Sequence, residues 1–270
     1  MKTTITKTLL ASAVAVVCAF SANVASAQTS RFADFTVDPI NSTLANFEAD
    51  KITGNYVEIA QFNENGTFNV NLYWEAAAFV ANDGRTQLNA SDTGLSVNYG
   101  IYALYSASGT FSTNANGRTD FNFTPSTGAL SLFLDTQNNT EYEEGPGLEF
   151  IATATGDDRL IATGNPLAGN GFIDPTNPQC ASFGGIFCGA FGSRTSFELN
   201  ALGSTFFVEP SPFYQLSFQS GQLNNFTPAG RQVINGSLDV AFNDVPEPGS
   251  LALLGLGLAG LGLSLRRKRA

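Results

Sequence analysis

Histidine is absent from all 270 residues. That removes Ser-His-Asp and Cys-His nucleophiles, HExxH zinc sites and every mechanism in which an imidazole carries the proton. Carboxylate chemistry survives, because a glycosidase needs only two acids about 5 to 10 Å apart. Charge is sparse at 13% of residues, with 13 Lys and Arg against 23 Asp and Glu. Six of the 13 cations (Lys2, Lys7, Arg266, Arg267, Lys268, Arg269) lie near the two ends, so the stretch between is more acidic than the net −10 of the whole chain. Such a surface repels nucleic acid and anionic lipid, and neither is an expected partner. Cysteine occurs three times. Cys18 follows Val17 where a lipoprotein carries a small residue. Cys180 and Cys188 close the Gly-rich loop CASFGGIFC. Two thiols without a histidine cannot complete a tetrahedral metal site, so no metal is assigned here and a disulfide is expected, worth about 2.5 kcal/mol in the chain-entropy model.

Long apolar runs are also scarce, and the two present sit at the ends. Residues 1–27 begin with Lys2 and Lys7, continue through an apolar core from Leu9 to Phe20, and finish Ala25-Ser26-Ala27 before Gln28. This is the pattern of a cleaved signal peptide, with Ala25 and Ala27 at the cleavage site. Residues 245–270 read VPEPGSLALLGLGLAGLGLSLRRKRA. The uncharged run of 15 residues from Leu251 to Leu265 reaches roughly 22 Å as a helix, short of the ~30 Å hydrocarbon core. Its glycines weaken a helix further, by up to ~1 kcal/mol each. Pro246, Glu247 and Pro248 cannot continue a helix and present extended backbone. Arg266, Arg267, Lys268 and Arg269 hold the C-terminus on the cytoplasmic side. The tail therefore reads as a temporary inner-membrane anchor.

The PEP tripeptide, the apolar run and the basic cluster resemble the PEP-CTERM sorting signal of Gram-negative bacteria that make exopolysaccharide. The resemblance implies recognition of the tail by the membrane protease exosortase, followed by export of the body to the cell surface or extracellular matrix. A narrower resemblance covers residues 35–59 and 195–218 and the terminal INGSLDVAFNDVPEPGS, which look like the flocculation-associated member of that group. It implies a part in aggregating cells with exopolysaccharide, and it carries over no catalytic residue.

The body, residues 28–244, is expected to form one all-β, antiparallel, sandwich-like domain. Phe68, Val70, Leu72 and Trp74 alternate with polar neighbours, and the turn at residues 63–66 joins them to a strand over residues 56–62 as a hairpin. The alternation from Leu95 to Tyr105 predicts the best strand of the chain. Shorter strands are expected around residues 121–123, 130–134, 148–155, 197–201, 205–208, 213–218 and 238–242. Residues 164–192, rich in Gly and Pro, predict a long surface loop stapled by the cysteines.

Few residues in the body invite chemistry. Glu141, Glu143 and Glu144, with Asp157 and Asp158 nearby, are the available carboxylates, and they read better as solvated loop charges than as a catalytic pair. Calcium is the one ion that Asp157 and Asp158 suggest, although the spaced acids of an EF-hand are missing. Otherwise no cofactor is expected. Trp74 lies in phase with the apolar face and reads as core, leaving Tyr73 as the freer surface for stacking a sugar. The function expected from all this is a non-enzymatic matrix or surface protein that supports flocculation or biofilm formation. The alternatives are a calcium-dependent carbohydrate-binding module and a carboxylate-dependent glycoside hydrolase.

Overall fold

The computed structural model describes residues 32–40 and 43–243. Seventeen strands run through them: β1 (Phe35–Val37), β2 (Phe47–Ala49), β3 (Lys51–Phe62), β4 (Thr67–Ala81), β5 (Thr86–Gln87), β6 (Gly100–Thr113), β7 (Thr119–Phe123), β8 (Leu130–Asp135), β9 (Glu141–Glu144), β10 (Phe150–Thr153), β11 (Arg159–Gly164), β12 (Pro166–Ile173), β13 (Gly189–Thr195), β14 (Glu198–Leu199), β15 (Phe207–Glu209), β16 (Gln215–Leu223) and β17 (Gly230–Asn243). Among the described residues helix is confined to the short α1 (Ala90–Thr93), α2 (Pro178–Ser182) and α3 (Gly203–Phe206), with one 3₁₀ turn at Thr155–Asp157. None of the helices among the described residues is long and apolar enough to cross a membrane.

The all-β class is as expected, but the sandwich is corrected to a barrel. Strands follow one another in the order β6, β7, β12, β13, β16, β17, β3, β4, and β4 then pairs back onto β6 from Thr67↔Thr110 to Glu75↔Tyr102. That last pairing closes a ring of eight antiparallel strands and leaves it no open edge. Alternation along each strand is the same in a sandwich and a barrel. What separates them is one long-range register, which no local pattern encodes. β6 also branches: its second half carries β7, while its first half pairs with β8, which continues to β11 and β14.

The period of two decides what the barrel holds. Along β3, Ile52, Tyr56, Ala60 and Phe62 are buried and point inward. Along β4, Phe68, Val70, Leu72 and Trp74 do the same. The outward set is largely polar: Thr53, Asn55, Gln61, Asn69, Asn71, Glu75, Asn235, Ser237 and Asp239. A lipid-facing barrel shows the reverse pattern. Trp74 donates its indole N–H to the Leu238 carbonyl at 3.0 Å, reaching from β4 across β3 to β17. Gly54 makes the reach possible, since a Cβ there would lie 2.5 Å from the indole nitrogen and 2.2 Å from the Glu75 carbonyl oxygen.

One end of the barrel is packed solid with phenylalanine. Phe35, Phe79, Phe197, Phe207, Phe213 and Phe242 are all buried there, with Phe35 edge-on to Phe242 at 4.9 Å and Phe213 edge-on to Phe242 at 5.1 Å. The small sheet β15-β1-β2 supplies Phe35 and Phe207 to this plug.

Other expectations are refined. The hairpin of β3 and β4 forms as read, its turn closed by the Gly66 amide on the Asn63 carbonyl at 3.0 Å. The strand expected from Leu95 begins only at Gly100, because residues 94–99 turn and expose Val97; it then runs on to Thr113. Residues 205–208 divide between α3 and β15. The long loop expected over residues 164–192 is shortened: β12 and the start of β13 take 12 of its 29 residues, and residues 174–188, with α2 among them, remain between strands. Gly169, Gly171 and Gly189 mark close approaches inside a sheet, whereas Gly184 and Gly185 take positive φ in the remaining loop. Gly169, for example, sits under the Phe123 ring, where a Cβ would come within 2.7 Å. The disulfide Cys180–Cys188 is present and buried.

Candidate functional site

The end of the barrel opposite the plug is hollow. Phe62, Phe68, Phe121, Phe123, Phe191 and Phe226 line a chamber of about 30 Å³, together with Val70, Leu223 and Ile234. One charged residue joins them, Glu58. It takes the inward position on β3 between Tyr56 and Ala60, in register with Leu72 of β4 and Ile234 of β17. Its side chain is half-buried and lines the chamber. Among the described residues no hydrogen bond or ion pair reaches it, and burial alone pushes its pKa up to about 7.

Other polar groups share the lumen. Tyr105 Oη and Ser193 Oγ meet at 2.7 Å, from strands that are not neighbours in the ring, so their bond crosses the interior. Tyr56 Oη and Ser220 Oγ are buried close to each other, without a bond of full hydrogen-bond geometry to any described residue. Burial, followed by the nearby Glu58 carboxylate, raises the Tyr56 phenol. The same two influences, with Ser193 opposing them, push Tyr105 up to about 12.

A second cluster lies outside the ring. Asp135, at the end of β8, comes together with Asp157 and Asp158, one ligand atom from each lying within 4.8 Å of the others. The oxygens are well supplied with donors. Asp135 accepts from the amides of Gln137 (3.2 Å), Asn139 (2.7 Å) and Thr140 (2.8 Å). Asp157 accepts from Thr136 Oγ1 and the Gln137 amide, and Asp158 from Thr140 Oγ1 and the Tyr102 hydroxyl. Partial desolvation works against the Asp157 carboxylate, but the bonds from Thr136 and Gln137 outweigh it and hold its pKa below the ordinary value. Beside the acids stands an aromatic group: Tyr73 stacks on Tyr142 at 4.3 Å, and Tyr102 on Phe133 at 4.9 Å. The hairpin of β9 and β10 covers Tyr73, fastened to the wall by Asn71 Nδ2 on the Leu148 carbonyl and by Arg231 on the carbonyls of Gly147 and Gly145.

Residues 244–268 match the family description "PEP-CTERM protein-sorting motif". The chain carries a PEP-CTERM sorting signal. No curated protein and no solved structure matches it. The PEP-CTERM signal implies exosortase processing, with export to the cell surface or beyond. Its residues Pro246, Glu247, Pro248, Arg266, Arg267, Lys268 and Arg269 lie outside the described residues, as do Ala25 and Ala27 of the expected signal peptide.

The body of this PEP-CTERM chain disposes the remaining site residues unevenly. Asp157 and Asp158 are brought together as their adjacency suggested, with Asp135 as an unforeseen third. Glu141, Glu143 and Glu144 stand exposed on β9, and among the described residues only Glu144 has an ion-pair partner, Arg231 at 3.8 Å. Tyr73 is not a free platform, because Tyr142, Tyr102 and Phe150 surround it. Trp74 is core, as expected, at 0% exposure. Sequence reasoning missed Glu58. The signal was available: in YVEIAQF the acid falls in phase with the inward residues Tyr56, Ala60 and Phe62.

Proposed function

We propose that the chain is an exported, non-enzymatic protein of the cell surface or extracellular matrix that supports flocculation or biofilm cohesion together with exopolysaccharide. The observation that carries this reading is the sorting signal at residues 244–268, which directs a body rich in polar outward side chains to the outside of the cell. The closed, aromatic-filled barrel suits a protein that must persist without chaperones. Deleting the gene is expected to leave cells dispersed while polysaccharide is still made; unchanged flocs would overturn the role. Ending the chain at Asp244 is expected to leave the body folded but unprocessed, found in the periplasm or medium rather than in the matrix.

A second reading, calcium-dependent carbohydrate binding, draws support from the joining of Asp135 to Asp157 and Asp158 beside the Tyr73, Tyr102 and Tyr142 rings. Calorimetry of the protein with the matrix polymer, with and without calcium, separates it from the first, which expects no calcium-dependent heat. A hydrolase using Glu143 and Glu144 has less behind it, and polymer left intact after incubation with the protein would remove it.

A further inference from the structure

We propose that the hollow end of the barrel is a binding site for a small alkylammonium group, held by the Glu58 carboxylate inside a cage of phenylalanine rings. Nothing in the sorting role calls for such a site, and the inference does not depend on that role.

A carboxyl lining a barrel interior is costly unless hydrogen bonds or an opposite charge compensate it, and among the described residues neither reaches Glu58, which lines the chamber at the level of Leu72 and Ile234. Its neighbours do not serve. Tyr105 is engaged with Ser193, and Tyr56 Oη lies close to Ser220 Oγ, with no hydrogen bond to Glu58 among the described residues. The strands on either side offer Leu72 and Ile234 at the same level. Glutamine or leucine would fit the position at lower cost, so the acid calls for a partner that the described residues do not supply.

The chamber specifies that partner. Its space of about 30 Å³ takes a group the size of two or so water molecules. Its walls are six phenyl rings and three aliphatic side chains. Aromatic faces attract cations and carry no donor for an anion, and rings gathered around one carboxylate form the composition that recognises alkylated ammonium. A primary alkylammonium would donate its N–H groups to Glu58 and lay its carbons on the rings. A neutral molecule of the same size would leave the carboxylate uncompensated. The acidic body adds a field that draws cations in.

The test uses the purified full chain and ¹³C-labelled methylammonium chloride. Methyl protons entering an aromatic cage shift upfield, so saturable upfield shifts at pH 8 are expected, with at least tenfold weaker binding in Glu58→Gln. Methanol, of similar size and uncharged, is expected to show no saturable shift. Thermal unfolding of the unaltered protein in methylammonium chloride, against potassium chloride at equal ionic strength, needs no variant, and a higher midpoint in methylammonium is expected. The proposal is overturned by an absence of shifts in the unaltered protein, by equal binding of methanol, or by undiminished binding in Glu58→Gln. The last two results would make the chamber a plain apolar void.

Discussion

Both ends of the barrel are built from phenylalanine, yet one is solid and the other hollow. At the plugged end, strands from outside the ring push extra rings in: Phe35 from β1 meets Phe213 and Phe242 edge to face, and Phe207 from β15 meets Phe197 and Phe242 edge to face. At the chamber end the rings come from the barrel wall and from Phe226 in the connection between β16 and β17, which stacks on Phe121 at 6.3 Å. Among the described residues no further element descends between them. The contrast shows that aromatic content alone does not fill a barrel; it takes an inserted element to bring side chains to the axis. The end without one keeps a space and tolerates a carboxyl.

The largest expected effect tests that contrast directly. Phe242→Ala removes a ring at 0% exposure from a packed plug and is expected to cost about 3 to 5 kcal/mol in urea unfolding. Phe121→Ala removes the same atoms from a wall that already borders empty space, and is expected to cost clearly less. Equal losses would mean that the chamber is as tightly packed as the plug.

Glu58 should give the hollow end a signature in pH. Its pKa is raised from 4.5 to about 7, so the folded protein keeps a proton that the unfolded chain has already lost. The associated stability is fully present below pH 4.5 and is lost as pH rises through 7, by up to about 3 kcal/mol. The facing phenols of Tyr56 and Tyr105 are both raised and stay silent in this range. The lack of histidine clears the window of its usual occupant. Asp50, raised by burial against the amide bonds of Gly84 and Asp83, adds a contribution of the same sign from a lower starting point. Asp157 and Asp174 are lowered, so their contributions appear on the acid side and are lost as pH falls. Glu58→Gln is therefore expected to flatten the unfolding profile between pH 5 and 8 and to stabilise the protein at pH 8 but not at pH 4. An unchanged slope would place the Glu58 carboxyl in contact with bulk water.

The same contrast explains how far the sequence could be read. The hairpin of β3 and β4, the inward Trp74 and the disulfide were legible because each rests on alternation, a turn signal or simple pairing between neighbours in the chain. The ring was not legible, since it depends on Thr67 meeting Thr110 and on β17 meeting β3 some 180 residues away. Gly164, Gly169, Gly171, Gly189 and Gly192 misled because glycine marks both loops and crowded sheets, and only the partner strand tells which. Asp157 and Asp158 were visible as a pair. Asp135 was not, because a turn that folds back through Asn139 and Thr140 delivers it.

The disulfide belongs to the hollow end. The Cys188 amide binds the Leu223 carbonyl, and the Asn225 amide binds that of Gly185, tying the loop to the segment that carries Phe226. Replacing both cysteines with serine is expected to cost about 2.5 kcal/mol and to speed hydrogen exchange in residues 223–230, leaving exchange around Phe242 unchanged. Acceleration at both ends alike would show that the barrel opens as one unit and that the contrast is static only.

The smallest effect is expected on the wall between the ends, where the hairpin of β9 and β10 lies over Tyr73. Arg231 donates to the Gly147 carbonyl at 2.8 Å and to that of Gly145 at 3.0 Å, with Glu144 3.8 Å away. These bonds are half-exposed, so Arg231→Ala is expected to lower stability by no more than about 1 kcal/mol. Its consequence should be local: with one fastening gone and Asn71 left, the hairpin lifts more often, and Tyr142 leaves the face of Tyr73. Faster hydrogen exchange confined to residues 141–153, with chamber and plug unchanged, is the expected result. A global loss would mean that the strap holds the ring closed, giving the barrel wall a structural share that its two phenylalanine ends otherwise account for.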